Sequence, residues 1–174
     1  MSGQPSAPGD PRAALVELYD VALPHVYGYL LARCGGKVLA EDLTAETFLA
    51  AVDAVRGDDP PTLSVAWIIG VARHKLVDHW RRQGRDERRL RALVDDAPPP
   101  EDPWDVELDA IRARETLESL GSQHRAALTL RYLDDLPVPR VAALLERTVH
   151  ATEALLVRAR TAFRRAYGEE AGDG

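Results

Sequence analysis

The residues best suited to chemistry in this chain form two clusters of positive charge. Between Arg73 and Arg85 there are five basic residues and one acid, Asp78. Between Arg158 and Arg165 there are four basic residues and no acid. Guanidinium and ammonium groups bind phosphate, and the local field matters more for that contact than the net charge of the whole chain. The two clusters therefore predict a protein that contacts nucleic acid at two places.

The net charge of −6 arises almost entirely in one segment between the two clusters. Residues 86–109 carry three basic and nine acidic groups, whereas residues 12–85 carry nine of each. This segment contains the run DDAPPPEDP and has little apolar periodicity. It is typical of a flexible acidic linker between two domains.

Residue patterns for catalysis and for metal binding are missing from the sequence. His74 and His79 are five residues apart, so they do not share a helix face and make a poor pair of metal ligands. The single cysteine, Cys34, excludes an internal disulfide and a cysteine-cluster zinc site. The sequence contains no Ser/His/Asp or Cys/His set, HExxH motif or phosphate-cradling glycine loop. We therefore expect no catalytic residue, no metal and no cofactor.

Apolar residues recur with a period close to 3.6 along most of the chain, and strand signals are absent. The pattern predicts an all-α protein whose helices span about 13–33, 39–55, 64–83, 106–119, 122–133, 138–145 and 148–167. A further short helix is predicted at 87–94. Pro24 predicts a kink or break in the first helix, and Ser64 is a plausible N-cap of the third.

The predicted fold is therefore two small helical domains joined by a flexible acidic linker. Its parts are a disordered N-terminus (1–11), a first domain (12–85), the linker (86–108), a second domain (109–168) and a tail (169–174).

The end of the second domain has the pattern of a helix-turn-helix. Pro139 suits the first turn of the leading helix, and Thr148 is a good N-cap for the second. Several apolar residues could pack the two helices together: Leu144, Leu145, Leu155, Leu156, Ala159 and Phe163. Such a pair either places its second helix in the DNA major groove or forms a helical hairpin that packs on another protein. The pattern alone leaves both open.

The first domain carries an acidic cluster besides the basic one, and each allows a structural and a functional interpretation. Glu41, Asp42 and Glu46 stand near a helix start, where carboxylates are favourable for the helix dipole on a solvated face. In the basic helix, Asp78 either pairs with a neighbouring arginine or belongs to a phosphate-tracking groove beside Trp80, suited to single-stranded nucleic acid. Trp67 and Trp80 are more simply explained as core residues than as stacking platforms.

Three stretches together resemble the extracytoplasmic-function (ECF) sigma factors of bacterial RNA polymerase. They are AEDLTAETF, AWIIGVARHKLVDHWRR and LGSQHRAALTLRYLDDLPVPRVAALLERTVHATEALLVRARTAFR. Their order and spacing match region 2, the linker and region 4 of that family, over about Leu15 to Tyr167. The combination is specific, although helix-turn-helix patterns alone are widespread.

The resemblance implies roles for particular residues. The segment Ala40–Phe48 matches the part that docks on the β′ clamp helices, with candidate contacts Glu41, Asp42, Thr44, Glu46 and Thr47. The loop Arg56–Ser64 and the helix Arg73–Arg82 match the parts that open the −10 element and hold its non-template strand. Their candidates are Arg56, Arg73, His74, Lys75, Asp78, Trp80, Arg81 and Arg82.

The second domain matches the part that reads the −35 element as duplex and contacts the β flap. Its candidates are Thr148, His150, Ala151, Glu153, Ala154, Arg158, Arg160 and Arg164. Of the three base-facing positions, His150, Ala151 and Glu153, only His150 is a potential donor, while Glu153 could accept from a cytosine amino group. The chain departs from the family's usual residues at Ala45, His74, Glu146, Ala151, Thr152, Glu153 and Leu155.

The resemblance implies a promoter-specificity subunit that binds core RNA polymerase and promoter DNA, both as duplex and as non-template single strand. An anti-sigma factor is a further expected partner. We expect a cytoplasmic location and no membrane insertion, since the N-terminus lacks a secretion signal and no apolar run approaches about 20 residues. Two alternatives are a two-domain helix-turn-helix regulator acting without polymerase and an all-α adaptor without DNA contact. The helix that carries Glu41, Asp42 and Glu46 distinguishes a sigma factor from such a regulator, because a regulator that works without polymerase has no need of it.

Overall fold

The computed structural model describes residues 9–91 and 109–172, and within those ranges the protein is all-α with no strand. The helices are α1 Pro11–Cys34, α2 Lys37–Arg56, α3 Val65–Arg91, α4 Ala110–Ser119, α5 Ser122–Leu128, α6 Val138–Leu144 and α7 Val149–Gly172. A π-helical turn, Thr129–Leu133, continues α5. The predicted all-α class is confirmed. The predictions made for residues 1–8, 92–108 and 173–174 lie outside the described residues.

Helix α1 shows why its sequence begins and ends a helix where it does. The Asp10 carboxylate accepts from the Arg12 backbone N–H at 2.9 Å, and Pro11 occupies the first turn, where its missing N–H costs nothing. Gly35 ends the helix with φ 76°, a left-handed conformation that glycine adopts without a steric penalty. The helix continues past Pro24 instead of breaking there. Ala22 and Val26 on either side of Pro24 are fully buried, and this packing holds the two halves in one element.

The chain divides into two compact units, with the boundary between Leu76 and Val77. In the first unit, α1 and α2 pack against each other, and the predicted apolar stripes of α1, α2 and α3 supply the core. The Tyr19 and Phe48 rings meet edge-on across α1 and α2, with centroids 4.8 Å apart. The buried core residues of this unit include Leu15, Val26, Leu30, Leu43, Phe48, Val55, Ile68, Ala72 and Leu76.

Helix α3 is longer than the sequence indicates. It begins after Ser64, whose hydroxyl accepts from the Trp67 N–H at 3.1 Å as an N-cap, and it runs on to Arg91. Residues 86–91, predicted from the sequence as part of a linker with a separate short helix at 87–94, therefore continue α3. The unit boundary also falls inside this helix, and Val77 onward lies in the second unit.

Contacts with α5 explain why α3 persists beyond the predicted end. The Glu87 carboxylate accepts from the Ser122 hydroxyl at 3.0 Å and from the Ser122 backbone N–H at 3.3 Å. It thereby caps the first turn of α5, whose own N-cap residue, Gly121, has no capping side chain. Trp80, one turn earlier than Gly84, is only 1% exposed. The second half of α3 is thus part of the core of the second unit.

The start of α4 is tied to the end of α7 through Tyr167. The Asp109 backbone N–H donates to the Tyr167 hydroxyl at 3.0 Å, and Arg112 donates to the Tyr167 carbonyl. The Arg112 guanidinium also lies 3.9 Å from the centre of the Tyr167 ring, which stacks on Phe163. Asp109 itself caps α4, accepting from the backbone N–H groups of the two residues after Ala110.

Two glycines of α3 offer a matched test of the contact with α5. A Cβ at Gly84 would lie 3.0 Å from Ser122 Oγ and 3.2 Å from Gln123 Cγ, whereas a Cβ at Gly70 would meet nothing within 4 Å. Gly70→Ala should raise the free energy of unfolding by about 0.5–1 kcal/mol, because alanine favours a helix interior over glycine. Gly84→Ala should not show that gain, since Ser122 Oγ is held by Glu87 and cannot move away freely. Urea unfolding of both variants measures the difference. Equal stabilisation by the two changes would contradict the close approach.

Candidate nucleic-acid interface

The predicted helix-turn-helix is formed by α6 and α7, and its turn has a defined hydrogen-bond pattern. The Glu146 N–H donates to the Ala143 carbonyl at 3.2 Å, and the Arg147 N–H donates to the Ala142 carbonyl at 2.9 Å. This pair of bonds closes α6 in a Schellman motif, which requires a left-handed residue after the cap. Glu146 is that residue, with φ 53°. Glycine usually occupies such a position because a Cβ there costs about 1–2 kcal/mol.

Helix α7 begins as the sequence predicts. The Ala151 N–H donates to the Thr148 hydroxyl at 3.1 Å, so Thr148 is its N-cap. All six residues expected to pack the helix pair together are buried: Leu144, Leu145, Leu155, Leu156, Ala159 and Phe163. The burial of Leu155 explains why a residue of this type stands where the family often has a polar one. It serves the core of the unit instead of the surface.

The exposed side chains of α7 define the face that can contact DNA. His150, Glu153, Ala154 and Arg158 are exposed, and Ala151 is half-buried. Arg160 donates to the Tyr132 hydroxyl at 3.3 Å, and Arg164 is half-buried. The first turns of α7 therefore present an imidazole and a carboxylate, with guanidinium groups further along the helix.

The basic stretch of α3 is divided between the two units. In the first unit His74 is exposed, while Arg73 and Lys75 are half-buried, and the Arg73 guanidinium lies 6.0 Å from the centre of the Tyr29 ring. Arg56 is exposed in the last turn of α2, before the loop.

In the second unit, Asp78 bonds to Arg81 at 3.1 Å, as the spacing predicts. Arg81 also forms an ion pair with Glu146, which the sequence could not indicate across 65 residues. Arg82 is exposed. Trp80 is buried and faces the Arg125 guanidinium at 5.6 Å, so its ring is a core group, as one of the two sequence interpretations had it.

The acidic segment of α2 separates into exposed carboxylates and buried hydroxyls. Glu41, Asp42 and Glu46 are exposed. The Thr44 and Thr47 hydroxyls donate at 2.6 Å to backbone carbonyls one turn earlier, and the residues are 6% and 0% exposed. Thr47 in particular offers no surface to a partner in this structure.

An apolar groove of about 480 Å³ lies beside these carboxylates in the first unit. It is lined by residues of α1 and α2: Tyr19, Leu23, Pro24, Tyr27, Glu41, Thr44, Ala45 and Phe48. Sequence reasoning missed this groove. The sequence could have indicated it, because Pro24 and Tyr27 are apolar or aromatic residues of α1 that lie outside its buried face.

A concentration of positive charge near the turn between α6 and α7 was also missed. Burial lowers the pKa of Arg147, and the neighbouring guanidiniums of Arg88 and Arg158 lower it further. Arg147 donates to the Gln123 side-chain carbonyl at 2.8 Å. Since Arg88 comes from α3 and Arg158 from α7, only the fold brings these three cations together.

Within residues 9–91 and 109–172, no three His, Cys, Asp or Glu side chains are grouped so that they could hold a metal ion. None of the helices described is long and apolar enough to cross a membrane.

Comparison with known proteins shows matches to two families along the chain. The family described as Sigma-70 region 2 matches residues 18–86, and the family described as Sigma-70, region 4 matches residues 110–163. The ECF RNA polymerase sigma factor SigD of Mycobacterium tuberculosis is 32% identical over 159 residues, which cover 85% of this chain and 74% of SigD. The ECF RNA polymerase sigma factor BldN of Streptomyces coelicolor is 32% identical over 155 residues, or 84% of this chain. The matched part spans 57% of the length of BldN.

A solved structure shares the fold. It is the sigma factor RpoE of Bartonella quintana, determined in complex with the anti-sigma factor NepR. The TM-score is 0.53 with 17% sequence identity, and the match covers 88% of this chain and 96% of that one. At this identity the likeness concerns the fold alone.

The left-handed conformation of Glu146 can be tested with two substitutions at the same position. Glu146→Gly and Glu146→Ala both remove the exposed ion pair with Arg81, which contributes up to about 1 kcal/mol. Only the glycine variant also relieves the strain at positive φ, so it should be the more stable of the two by about 1 kcal/mol. Urea unfolding measures this difference. If the two variants unfold at the same urea concentration, the backbone at this turn is not left-handed in solution.

Proposed function

Because the chain belongs to the ECF family of RNA polymerase sigma factors, we propose that it confers promoter specificity on core RNA polymerase during transcription initiation. The observation that carries this proposal is the combination of parts on one chain. An α2 with an exposed acidic face precedes a basic α3, and a capped helix-turn-helix follows. A regulator that works without polymerase would need the helix-turn-helix but not the acidic α2.

Docking on the polymerase is assigned to the acidic face of α2. Glu41, Asp42 and Glu46 are exposed there, and the apolar groove next to them adds surface that a partner helix could cover. Charged groups at the edge of an interface steer association, while apolar contacts supply affinity. The expected partner is the pair of β′ clamp helices. The hydroxyls of Thr44 and Thr47 are bonded to the backbone and fix the helix, and Thr44 also lines the groove, whereas the fully buried Thr47 makes no contact with the partner.

Opening of the −10 element is assigned to α3 and the loop before it. His74 and Arg82 are exposed and Lys75 is half-buried, so these groups can reach the phosphates or bases of a single strand. Arg56 stands where the loop begins. The ring of Trp80 is buried, so this residue anchors the helix in the core and does not contact DNA.

Reading of the −35 element is assigned to the first turns of α7. Thr148, His150, Ala151, Glu153 and Ala154 lie at its N-terminal end, where a recognition helix meets base edges in the major groove. The guanidiniums of Arg158, Arg160 and Arg164 follow and are proposed to hold phosphates. With Glu153 in place of a basic residue, this helix is expected to favour a cytosine at one position over a purine.

This role determines the protein's chemistry, its location and the kind of partner that regulates it. The protein supplies docking and promoter reading and no catalytic group, since the polymerase makes the phosphodiester bonds. It acts in the cytoplasm, where core polymerase and promoter DNA are found. An anti-sigma factor is proposed as a regulatory partner, by analogy with the complex of the Bartonella protein with NepR.

Run-off transcription with purified core polymerase tests the function as a whole. Core enzyme with this protein should yield promoter-dependent transcripts from promoters of the source organism, while core enzyme alone should not. Promoter binding without any transcript, in the presence of active core enzyme, would favour the free-regulator alternative.

The docking surface is tested by removing its charge. A triple variant with Glu41→Ala, Asp42→Ala and Glu46→Ala should bind core polymerase about tenfold more weakly, because it removes three exposed carboxylates near the groove. Glu17→Ala, an exposed acid on α1, is the control and should bind normally. Binding is measured by fluorescence anisotropy of labelled protein against core enzyme. Equal affinity of the triple variant and the control would remove α2 from the docking surface.

The role of α3 in strand opening is tested at exposed positions that make no ion pair in the described structure. A double variant with His74→Ala and Arg82→Ala should open the −10 element less, as measured by permanganate reactivity of its thymines in the complex with core polymerase. The salt dependence of complex formation should fall by about one unit of slope for each phosphate that the variant no longer binds. Arg89→Ala, also exposed on α3, serves as the control. Full reactivity in the double variant would place single-strand binding elsewhere.

A further inference from the structure

A cleft of about 340 Å³ within the second unit carries an unusual set of side chains. Its rim bears four guanidiniums, from Arg81, Arg85, Arg88 and Arg147, and one carboxylate, from Glu146. Its floor is largely apolar and is formed by Trp80, Ala126, Leu145 and Leu155. A volume of this size is in the range of small-ligand sites, which combine an apolar surface with a few polar groups.

The positive charge of this cleft is not balanced by the carboxylates around it. Glu146 is engaged by Arg81, and Glu87 is engaged by Ser122. Arg88 donates to the Gly84 carbonyl at 3.3 Å, and Arg147 donates to a neutral amide. Among the residues that the structure describes, no carboxylate pairs with Arg85, Arg88 or Arg147. Three cations on one rim therefore lack a counter-charge.

These cations also act on one another. The fold holds Arg88 and Arg158 close enough to Arg147 to lower its pKa, in addition to the effect of burial. Like charges held together in a partly buried position cost free energy, and an anion placed between them recovers it. The hydrogen bond to Gln123 holds the Arg147 side chain in place, so this guanidinium is already positioned before an anion binds.

We propose that this cleft is a binding site for a free phosphorylated small molecule whose diphosphate group is held by Arg85, Arg88 and Arg147. Guanidinium groups bind phosphate oxygens in pairs through their planar fork, which a lysine-lined surface could not do. The rest of the ligand would lie against the apolar floor. Arg85, Arg88 and Arg147 have no part in the promoter contacts proposed above, and the site does not rest on that function.

Occupation of the site would link the second half of α3 to the turn between α6 and α7. Arg85 and Arg88 belong to α3, and Arg147 belongs to that turn. A ligand that binds only the folded arrangement stabilises it in proportion to the logarithm of its concentration above its Kd. The ligand would therefore regulate how firmly the helix-turn-helix is held on α3.

The site is tested with the full chain and inorganic pyrophosphate, without polymerase or DNA. Isothermal titration at constant ionic strength should show saturable binding of one pyrophosphate per chain, and Tm should rise with pyrophosphate concentration. Arg88→Gln and Arg147→Gln should each weaken binding about tenfold or more, because each removes charge-assisted bonds. Arg114→Gln, an exposed arginine of α4 outside the cleft, is the matched control and should bind like the unmodified chain.

Three results would overturn the proposal. Sulfate that binds with the same affinity and responds to the same variants would show an adventitious ion only. Pyrophosphate binding that is equally weakened by Arg114→Gln would show a general effect of surface charge. Absence of saturable pyrophosphate binding, together with weaker binding of duplex DNA by the two cleft variants, would assign these arginines to the DNA backbone. Arg147→Lys keeps the positive charge but lacks the planar guanidinium. If this variant unfolds at the Tm of the unmodified chain and still binds pyrophosphate more weakly, the loss of binding is due to the site and not to unfolding.

Discussion

The packing of the second unit depends on the contact between Glu87 and the first turn of α5. Helix α5 follows a glycine, which has no side chain to cap it. The first N–H groups of the helix, which have no partner within it, therefore need an acceptor from elsewhere in the chain. Glu87 provides that partner, and the neighbouring Gly84 lets the two helices approach without a clash. Once the start of α5 is fixed in this way, its buried residues, Ala126 and Ala127 among them, are placed for the core. The helix-turn-helix is then built on this core through α7.

The same contact shows where sequence reasoning reaches its limit. Helix ends that depend on adjacent residues could be predicted, as the N-caps Ser64 and Thr148 demonstrate. The packing of the helix-turn-helix could be predicted too, because apolar spacing decides which face of a helix is buried. A short helix at 87–94 could be predicted as well, but its continuity with α3 could not, because Glu87 is held by a residue 35 positions away. Local propensity carries no information about such a partner.

Only those parts of the candidate nucleic-acid interface that lie on a single helix could be predicted from the sequence. Charge clusters along one helix are visible in the sequence, and Asp78 with Arg81 is an example. The cluster of Arg88, Arg147 and Arg158 is assembled from three elements and appears only in the fold. Burial is likewise decided by the whole unit. Thr44 and Thr47 therefore looked equivalent to their acidic neighbours, although the structure turns their hydroxyls to the backbone.

Tyr167 has a consequence for how the protein is made. It lies 58 residues after Asp109, yet its hydroxyl and ring secure the first turn of α4. A chain emerging from the ribosome presents α4 long before it presents Tyr167, so α4 must wait without its anchor while the intervening helices are synthesised. Closing a loop of this length costs entropy that is recovered only when α7 is complete. The second unit therefore completes its folding only after Tyr167 has been synthesised, although α4 is among its first helices.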